Sequence, residues 1–317
     1  MKNAAKSFLS HNLFLPFAAS RRFIFLYHDI SKETEKHFSA EYYSTTPDNF
    51  ERQINFLSRK FEIVPLNALV TDNKLSGRKH YASVVFDDGF LSVKETAMKI
   101  LSKNDIPFAV FVNKTAILFD QLWVSNLIIH QKDEKYLRQL YSCLNELAAS
   151  YDNFASDPVR TINECVDFDS RFKKKYLHSM KNFVKRTYLN PEDVASLYEK
   201  GVLIGSHTSD HFRLNHCADE ELLLQIEDNK VFLDELLETE TKHFAIPFGK
   251  KEHYSEVVIE KLRAAGHDFI YSTNPIPFGL EEIANDRFLF PRIGLANNSP
   301  EEIMFYINRT FLKKYDL

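Results

Sequence analysis

Tyr81-Ala82-Ser83-Val84-Val85-Phe86-Asp87-Asp88-Gly89 is the stretch on which the fold turns. Its first six residues, β-branched and aromatic in the main, read as a buried strand; two adjacent carboxylates stand at the strand's C-terminal end, and Gly89 lets the chain turn sharply behind them. A second apolar run, Val202-Leu203-Ile204-Gly205, delivers Ser206-His207-Thr208-Ser209-Asp210-His211 just past its own end. In parallel α/β architectures the C-terminal strand ends are where ligands and catalytic groups collect, and both polar clusters lie there. An Asp-Asp pair alone is as compatible with a solvated turn, and a His-x-x-x-His spacing arises by chance in a chain with 12 histidines. Taken together, two imidazoles and one carboxylate form a three-ligand set for a divalent metal with positions left open. The other carboxylate is then available to take a proton from an attacking water. The combination suits hydrolysis.

Outward from these two strands the pattern repeats. Arg22 to His28 reads as a strand ending in a histidine, and Pro47 to Lys60 as a helix with Phe50, Ile54 and Leu57 on one face and Thr46 as N-cap. Phe61 to Val64 is a short strand, Val93 to Lys103 a helix, and Ile106 to Val112 a further strand. Beyond the histidine strand come a helix from Asp219 to Leu237, a strand from His243 to Gly249 ending in a proline turn, and a helix from Ser255 to Ala265. Strands over Phe269 to Ser272 and Phe288 to Ile293 follow, then a final helix announced by Ser299-Pro300-Glu301-Glu302. Strand–helix alternation of this kind marks parallel βα units. From about Trp123 to Tyr198 the chain becomes charged and helical, and it reads as an insertion of about 123–198 between two strands. Residues 1–21 form an N-terminal segment, and 22–317 one domain carrying the insertion. Lys173-Lys174-Lys175 reads as a solvated helix face.

With 317 residues the chain is long enough for a large α/β domain, and a formal charge of −4 argues against a nucleic-acid surface. Its 44% hydrophobic content excludes a disordered or fibrous protein, and the 28 phenylalanines read as core filling. Cys143, Cys165 and Cys217 are odd in number and lack metal-like spacing, so neither a disulfide framework nor a cysteine metal site is expected. Lys2 and Lys6 ahead of Phe8 to Ser20 imitate a signal peptide. However, His11 and Asn12 interrupt the apolar segment, which is also too short to span a bilayer. A short interfacial or packing helix is expected there, with the protein in the cytoplasm, at most peripheral to a membrane.

Phe86-Asp87-Asp88-Gly89, His207-Thr208-Ser209-Asp210-His211 and Ala245-Ile246-Pro247-Phe248-Gly249, in this order, resemble the motifs of the polysaccharide deacetylase family with the NodB homology domain, carbohydrate esterase family 4. Tyr27-His28 and Pro291-Arg292-Ile293 are similar to the branch that includes the poly-N-acetylglucosamine deacetylases. The resemblance covers roughly residues 22 to 297. It implies a distorted (β/α)7 barrel with a helical insertion, and metal-dependent removal of an N-acyl group from an amino sugar. It further implies that Asp88, His207 and His211 carry the metal, most often zinc, and that Asp87 is the general base. The backbone N–H of Phe248 would help hold the oxyanion, with Pro247 and Phe248 against the substrate.

This chain departs from the family pattern in three places. The late Leu-x-His that supplies a general acid is here Leu295-Ala296-Asn297, the arginine ahead of the third motif's proline is Ala245, and the usual threonine of the first motif is Val85. The proton for the leaving amine then comes from Asp87 itself, once protonated, or from His28. Arg292 is expected to stand in for the missing arginine, orienting Asp87 and keeping it ionised. His28 reads equally well as a core histidine bonded to a neighbour. Trp123 suits either packing or stacking on a sugar ring. His253 and His267 read as surface residues, with substrate contact as the alternative, and His216 and His243 as structural. The expected function is deacylation of an N-acetylated or N-formylated amino sugar, nucleotide-linked, lipid-linked or oligomeric, in surface-polysaccharide biosynthesis. No nucleic-acid partner and no integral membrane segment are expected. A catalytically silent barrel binding a glycan or a partner is a second class, although both carboxylates beside both histidines argue against it. A metal-dependent amidase on a non-sugar substrate is a third.

Overall fold

The computed structural model describes residues 21–31, 44–75, 79–120, 133–158, 161–162, 165, 171–172, 186–279 and 289–314. The N-terminal segment as far as residue 20, Trp123, the three-lysine run and much of the expected helical insertion lie outside the described residues. The strands are β1 (Arg22–Tyr27), β2 (Asp29–Ile30), β3 (Ser44–Thr45), β4 (Glu62–Ile63), β5 (Tyr81–Phe86), β6 (Phe108–Val112), β7 (Leu203–Ser206), β8 (His243–Ala245), β9 (Phe269–Ser272), β10 (Leu289–Pro291) and β11 (Ile293–Gly294). The main sheet runs β10-β9-β8-β7-β6-β5-β1-β11 with every pairing parallel, and β4 joins the start of β5.

β10 and β11 are separated in the chain by Arg292 alone, yet they stand at opposite ends of that order. β10 pairs with β9 and β11 with β1, so one short segment bridges both edges of the sheet. The sheet is thereby nearly closed, with β1, β5, β6, β7, β8, β9 and the β10–β11 segment as seven staves. The distorted (β/α)7 barrel expected from the motifs is the fold found.

Side-chain alternation along the strands fills one core inside the barrel and others outside it. Ile24, Leu26, Val85, Ala109, Phe111, Ala245, Tyr271 and Phe290 meet inside the barrel. Their neighbours Phe23, Phe25, Tyr27, Val84, Phe86, Val110 and Val112 pack outward beneath the helices. The helix Pro47–Lys60 buries Phe50, Ile54 and Leu57, and its N-cap Thr46 accepts the Asn49 N–H. At the bottom of the barrel the buried Arg22 donates through Nη1 to Leu69 O, and through Nη2 to Asp72 O at 2.8 Å and Leu75 O at 3.0 Å. It neutralises the carbonyl end of the helix Leu66–Thr71.

β6 and β7 pair directly, so everything between them leaves one strand and returns to its neighbour. The described part of that excursion includes the helices Lys114–Phe119, Glu134–Leu144, Tyr151–Ser156 and Pro191–Glu199. Its returning end is tied to the turn that follows Asp88: Leu91 N–H donates to Thr187 O and Leu189 N–H to Gly89 O, both at 2.8 Å.

Three local readings need correction. β8 stops at Ala245 instead of continuing to Gly249, because Pro247 has no N–H to extend the ladder and Phe248 and Gly249 turn with positive φ. The expected helix over 93–103 opens with a π-helical turn, Val93–Ala97, before the α-helical Met98–Ser102. His267 is not at the surface: Gly266, at φ +89°, swings it under the sheet, where it is 1% exposed with its ring 4.9 Å from Phe244. Among the described residues no helix is long and apolar enough to cross a membrane.

Candidate active site

The odd–even alternation of β1 aims His28 inward, in line with Ile24 and Leu26. The same rule aims Asp87 inward after Val85, and His207 after Gly205. At the C-terminal mouth these side chains meet Asp88, His211 and Arg292. Asp88 Oδ1 lies 3.4 Å from His207 Nε2 and 3.4 Å from His211 Nε2, and all three residues are buried. Their ligand atoms lie within 4.8 Å of one another, the only such group of three among the described residues. Ligands at tetrahedral angles around an ion at about 2.1 Å stand roughly 3.4 Å apart, so the spacing suits a zinc-sized ion. The donor set, two imidazole nitrogens and a carboxylate oxygen, is the one such ions take.

The side chains of this trio are oriented by their surroundings. His207 Nδ1 lies 2.7 Å from the carbonyl oxygen of Ala245. As the donor in that bond, Nδ1 keeps the proton and leaves Nε2 bare towards Asp88. Among the described residues His211 Nδ1 has no hydrogen-bond partner; its ring is held instead by the edge of Phe248, 4.7 Å between centroids. Burial pushes the His211 imidazole down to about 3 despite Asp88, so it stays neutral. Burial also lowers His207, but Asp87 and Asp88 outweigh it and raise its pKa above the ordinary value. Burial works against the Asp88 carboxylate, yet the two histidines hold its pKa well below the usual range.

Asp87 is 2% exposed and lies beside the trio rather than in it. Its Oδ1 accepts from Arg292 Nη1 at 2.7 Å, and its Oδ2 lies 3.7 Å from His207 Nε2. Burial opposes the charge, but the Arg292 guanidinium, helped by His207, more than offsets this and leaves the carboxyl below its normal pKa. Arg292, fully buried, also donates from Nε to Ser272 O at 3.3 Å and lies over the Phe111 ring. His28 is partly exposed while the groups around it are buried. Desolvation lowers its pKa against the pull of Asp88 and Asp87, so it is neutral. Phe248 is partly exposed, and among the described residues its N–H donates to no protein acceptor. Pro247 is buried behind it. His253 stands on the rim, its ring 5.3 Å from Phe248. His243 is buried inside the barrel with Nδ1 2.8 Å from Tyr271 Oη. Asn297 points away from the site and accepts from Asn49 Nδ2 at 3.0 Å and from Thr46.

Backbone strain is concentrated in the motif turns. Asp88, Thr208, His211 and Phe248 have φ of 68°, 68°, 61° and 60°, the left-handed region that non-glycine residues enter at a cost of about 1 kcal/mol or more. A polar scaffold that residue-level reading did not single out holds the histidine turn. Asn113 Nδ2 donates to His207 O and Thr208 O, Thr115 donates to Asp210, and Gln225 exchanges two bonds with Asp210 at 2.7 and 3.0 Å. Asn229 ties Val112 O to Ser206 Oγ. Asn113 had a signal: it is a buried amide directly after an apolar strand, at the end where sites collect.

A family profile described as polysaccharide deacetylase matches residues 74–270. No curated protein matches. Among solved structures, the Streptococcus pyogenes deacetylase PplD in complex with acetate superposes with a TM-score of 0.59 at 17% identity, covering 90% of this chain and 98% of that one. IcaB from Ammonifex degensii gives 0.57 at 15% identity over 90% and 97%. A de-N-acetylase from Aggregatibacter actinomycetemcomitans gives 0.56 at 12% identity over 88% and 97%. At these identities the likeness is one of fold.

Proposed function

The chain belongs to the polysaccharide deacetylase family and is a carbohydrate deacetylase, and from that premise we propose that it is a metal-dependent N-deacylase of an amino sugar in surface-polysaccharide biosynthesis. The observation that carries the reading is the convergence of Asp88, His207 and His211 beside an Asp87 that is charged, buried and outside the ligand set. An N-acetyl group is the first choice of acyl group, since one fold relative is in complex with acetate. The sugar is nucleotide-linked, lipid-linked or oligomeric. Three cysteines, none joined in a disulfide, support a reducing, cytoplasmic setting.

Asp88, His207 and His211 would hold the ion, most readily Zn2+, which when bound supplies Lewis acidity and lowers the pKa of water towards 7. Asp87 Oδ2, the oxygen not engaged by Arg292, accepts the proton of the attacking water. The Phe248 N–H stabilises the oxyanion, and its ring and Pro247 border the acyl group. Asp87, made a strong acid by the guanidinium beside it, passes the same proton to the departing amine. His28, neutral and partly exposed, serves as a hydrogen-bonding group on the substrate side.

The test is metal analysis of the purified chain together with acetate release from free N-acetylglucosamine, its oligomers, nucleotide-diphosphate-linked N-acetylglucosamine and N-acetyl-lysine. Metal near one equivalent with release from a sugar supports the reading. Release from N-acetyl-lysine alone points to a general amidase. Glycan binding with neither metal nor release means a silent barrel.

A further inference from the structure

Asp29 follows His28 directly, and its strand pairs with β3 in the register Asp29↔Ser44. Asp29 is 9% exposed, and its carboxylate is surrounded by hydroxyl donors. Oδ2 accepts from Ser31 Oγ at 2.6 Å and Ser44 Oγ at 2.8 Å, and Oδ1 accepts from Ser92 Oγ at 2.7 Å. The Ser92 hydroxyl in turn accepts the Ile30 N–H at 3.0 Å. Ser92 lies four residues beyond Asp88, on the segment that carries both motif carboxylates.

A carboxylate taken out of water costs stability unless its lone pairs are filled, and hydroxyl bonds to a charged acceptor are stronger than neutral ones. Here the three bonds join the backbone after His28 to β3 on one side and to the Asp87–Asp88 turn on the other. The distance between His28 and the two carboxylates is therefore fixed by Asp29 and Ser92, one and four residues outside the site. We propose that Asp29, through Ser92, is a positioning residue that sets the place of His28 against the substrate; this rests on the deacylase reading above. Asp29 touches no reacting atom, so its effect passes through His28.

A double-mutant cycle on the full chain tests this, with acetate release from the same sugars and metal content measured in parallel. Asp29→Asn and Ser92→Ala should each lower kcat/KM about tenfold with metal content unchanged, and Ser92→Thr should recover most of the loss. In a His28→Ala background, Asp29→Asn should change little further, because the residue it positions is already gone. If Asp29→Asn does not fold, the same cycle is run with Ser92→Ala, which removes one bond of the three. Losses that multiply in the His28→Ala background, or single variants at the wild-type rate, overturn the assignment alone. A wild-type chain that releases acetate from no sugar overturns the deacylase reading and the assignment with it.

Discussion

Asp87 and Arg292, 205 residues apart in the chain, make the shortest ion pair of the site at 2.7 Å, and both are buried. Removing one partner of such a pair leaves a buried charge alone, at a cost of about 3–5 kcal/mol. Arg292→Met should therefore lower the melting temperature. It should also move the acid limb of the kcat/KM profile to higher pH: the carboxylate form is present above the Asp87 pKa, and that pKa rises once the guanidinium is gone. An unchanged acid limb would count against Asp87 as the base. Asp87→Asn should keep metal while turnover falls about 100-fold. Asp88→Asn should lose metal, and the opposite pattern reverses the two roles. The carboxylates and histidines were legible as residue types in register. The Arg292 contact was expected only as a replacement for an arginine missing at Ala245. His28 was left between core and pocket, although counting inward positions along β1 from Ile24 would have aimed it into the barrel.

The third motif turns on elements too short to advertise themselves. Gly249 has φ +66°, and a Cβ there would lie 2.7 Å from Thr273 N, which donates to Gly249 O. Gly249→Ala should cost about 2 kcal/mol or more and displace the Phe248 N–H, so that kcat falls more than metal affinity. Urea unfolding, with metal titration and turnover, measures both. Helices with clear caps, such as Pro47–Lys60, were legible within a residue or two because Thr46 and Pro47 mark the start and apolar spacing marks the face. The exact end of β8 at Ala245 and the π-helical turn at Val93–Ala97 were not: the proline turn was expected, but apolar spacing says neither where the ladder stops ahead of it nor which helical turn widens.

Over the whole molecule, burial holds His243 down to about 4 and His267 down to about 3, against an ordinary 6.5. Below 6.5 the unfolded chain takes up protons that the folded chain refuses, so stability should fall as pH drops from 6.5 to about 4, and further for His267 down to about 3. The upper bound is about 3 kcal/mol for His243 and about 5 kcal/mol for His267 over their ranges. Melting temperature against pH measures the slope, which His267→Leu should flatten. On the proposed metal site, a chelator should lower the melting temperature at neutral pH, since Asp88, His207 and His211 come together only in the folded chain. A chelator without effect would remove the metal from the account.

Closure of the barrel depends on the last strand, which reaches β1 some 270 residues back. Arg292 arrives with it. On the ribosome Asp87, the proposed base, is therefore made long before its counter-ion, and a nascent or C-terminally truncated chain carries the three motifs before Arg292 is there to hold that carboxylate in place. In refolding, regained turnover would appear later than helix content, because it waits for the last strand, which makes activity itself a proofreading mark of a finished molecule.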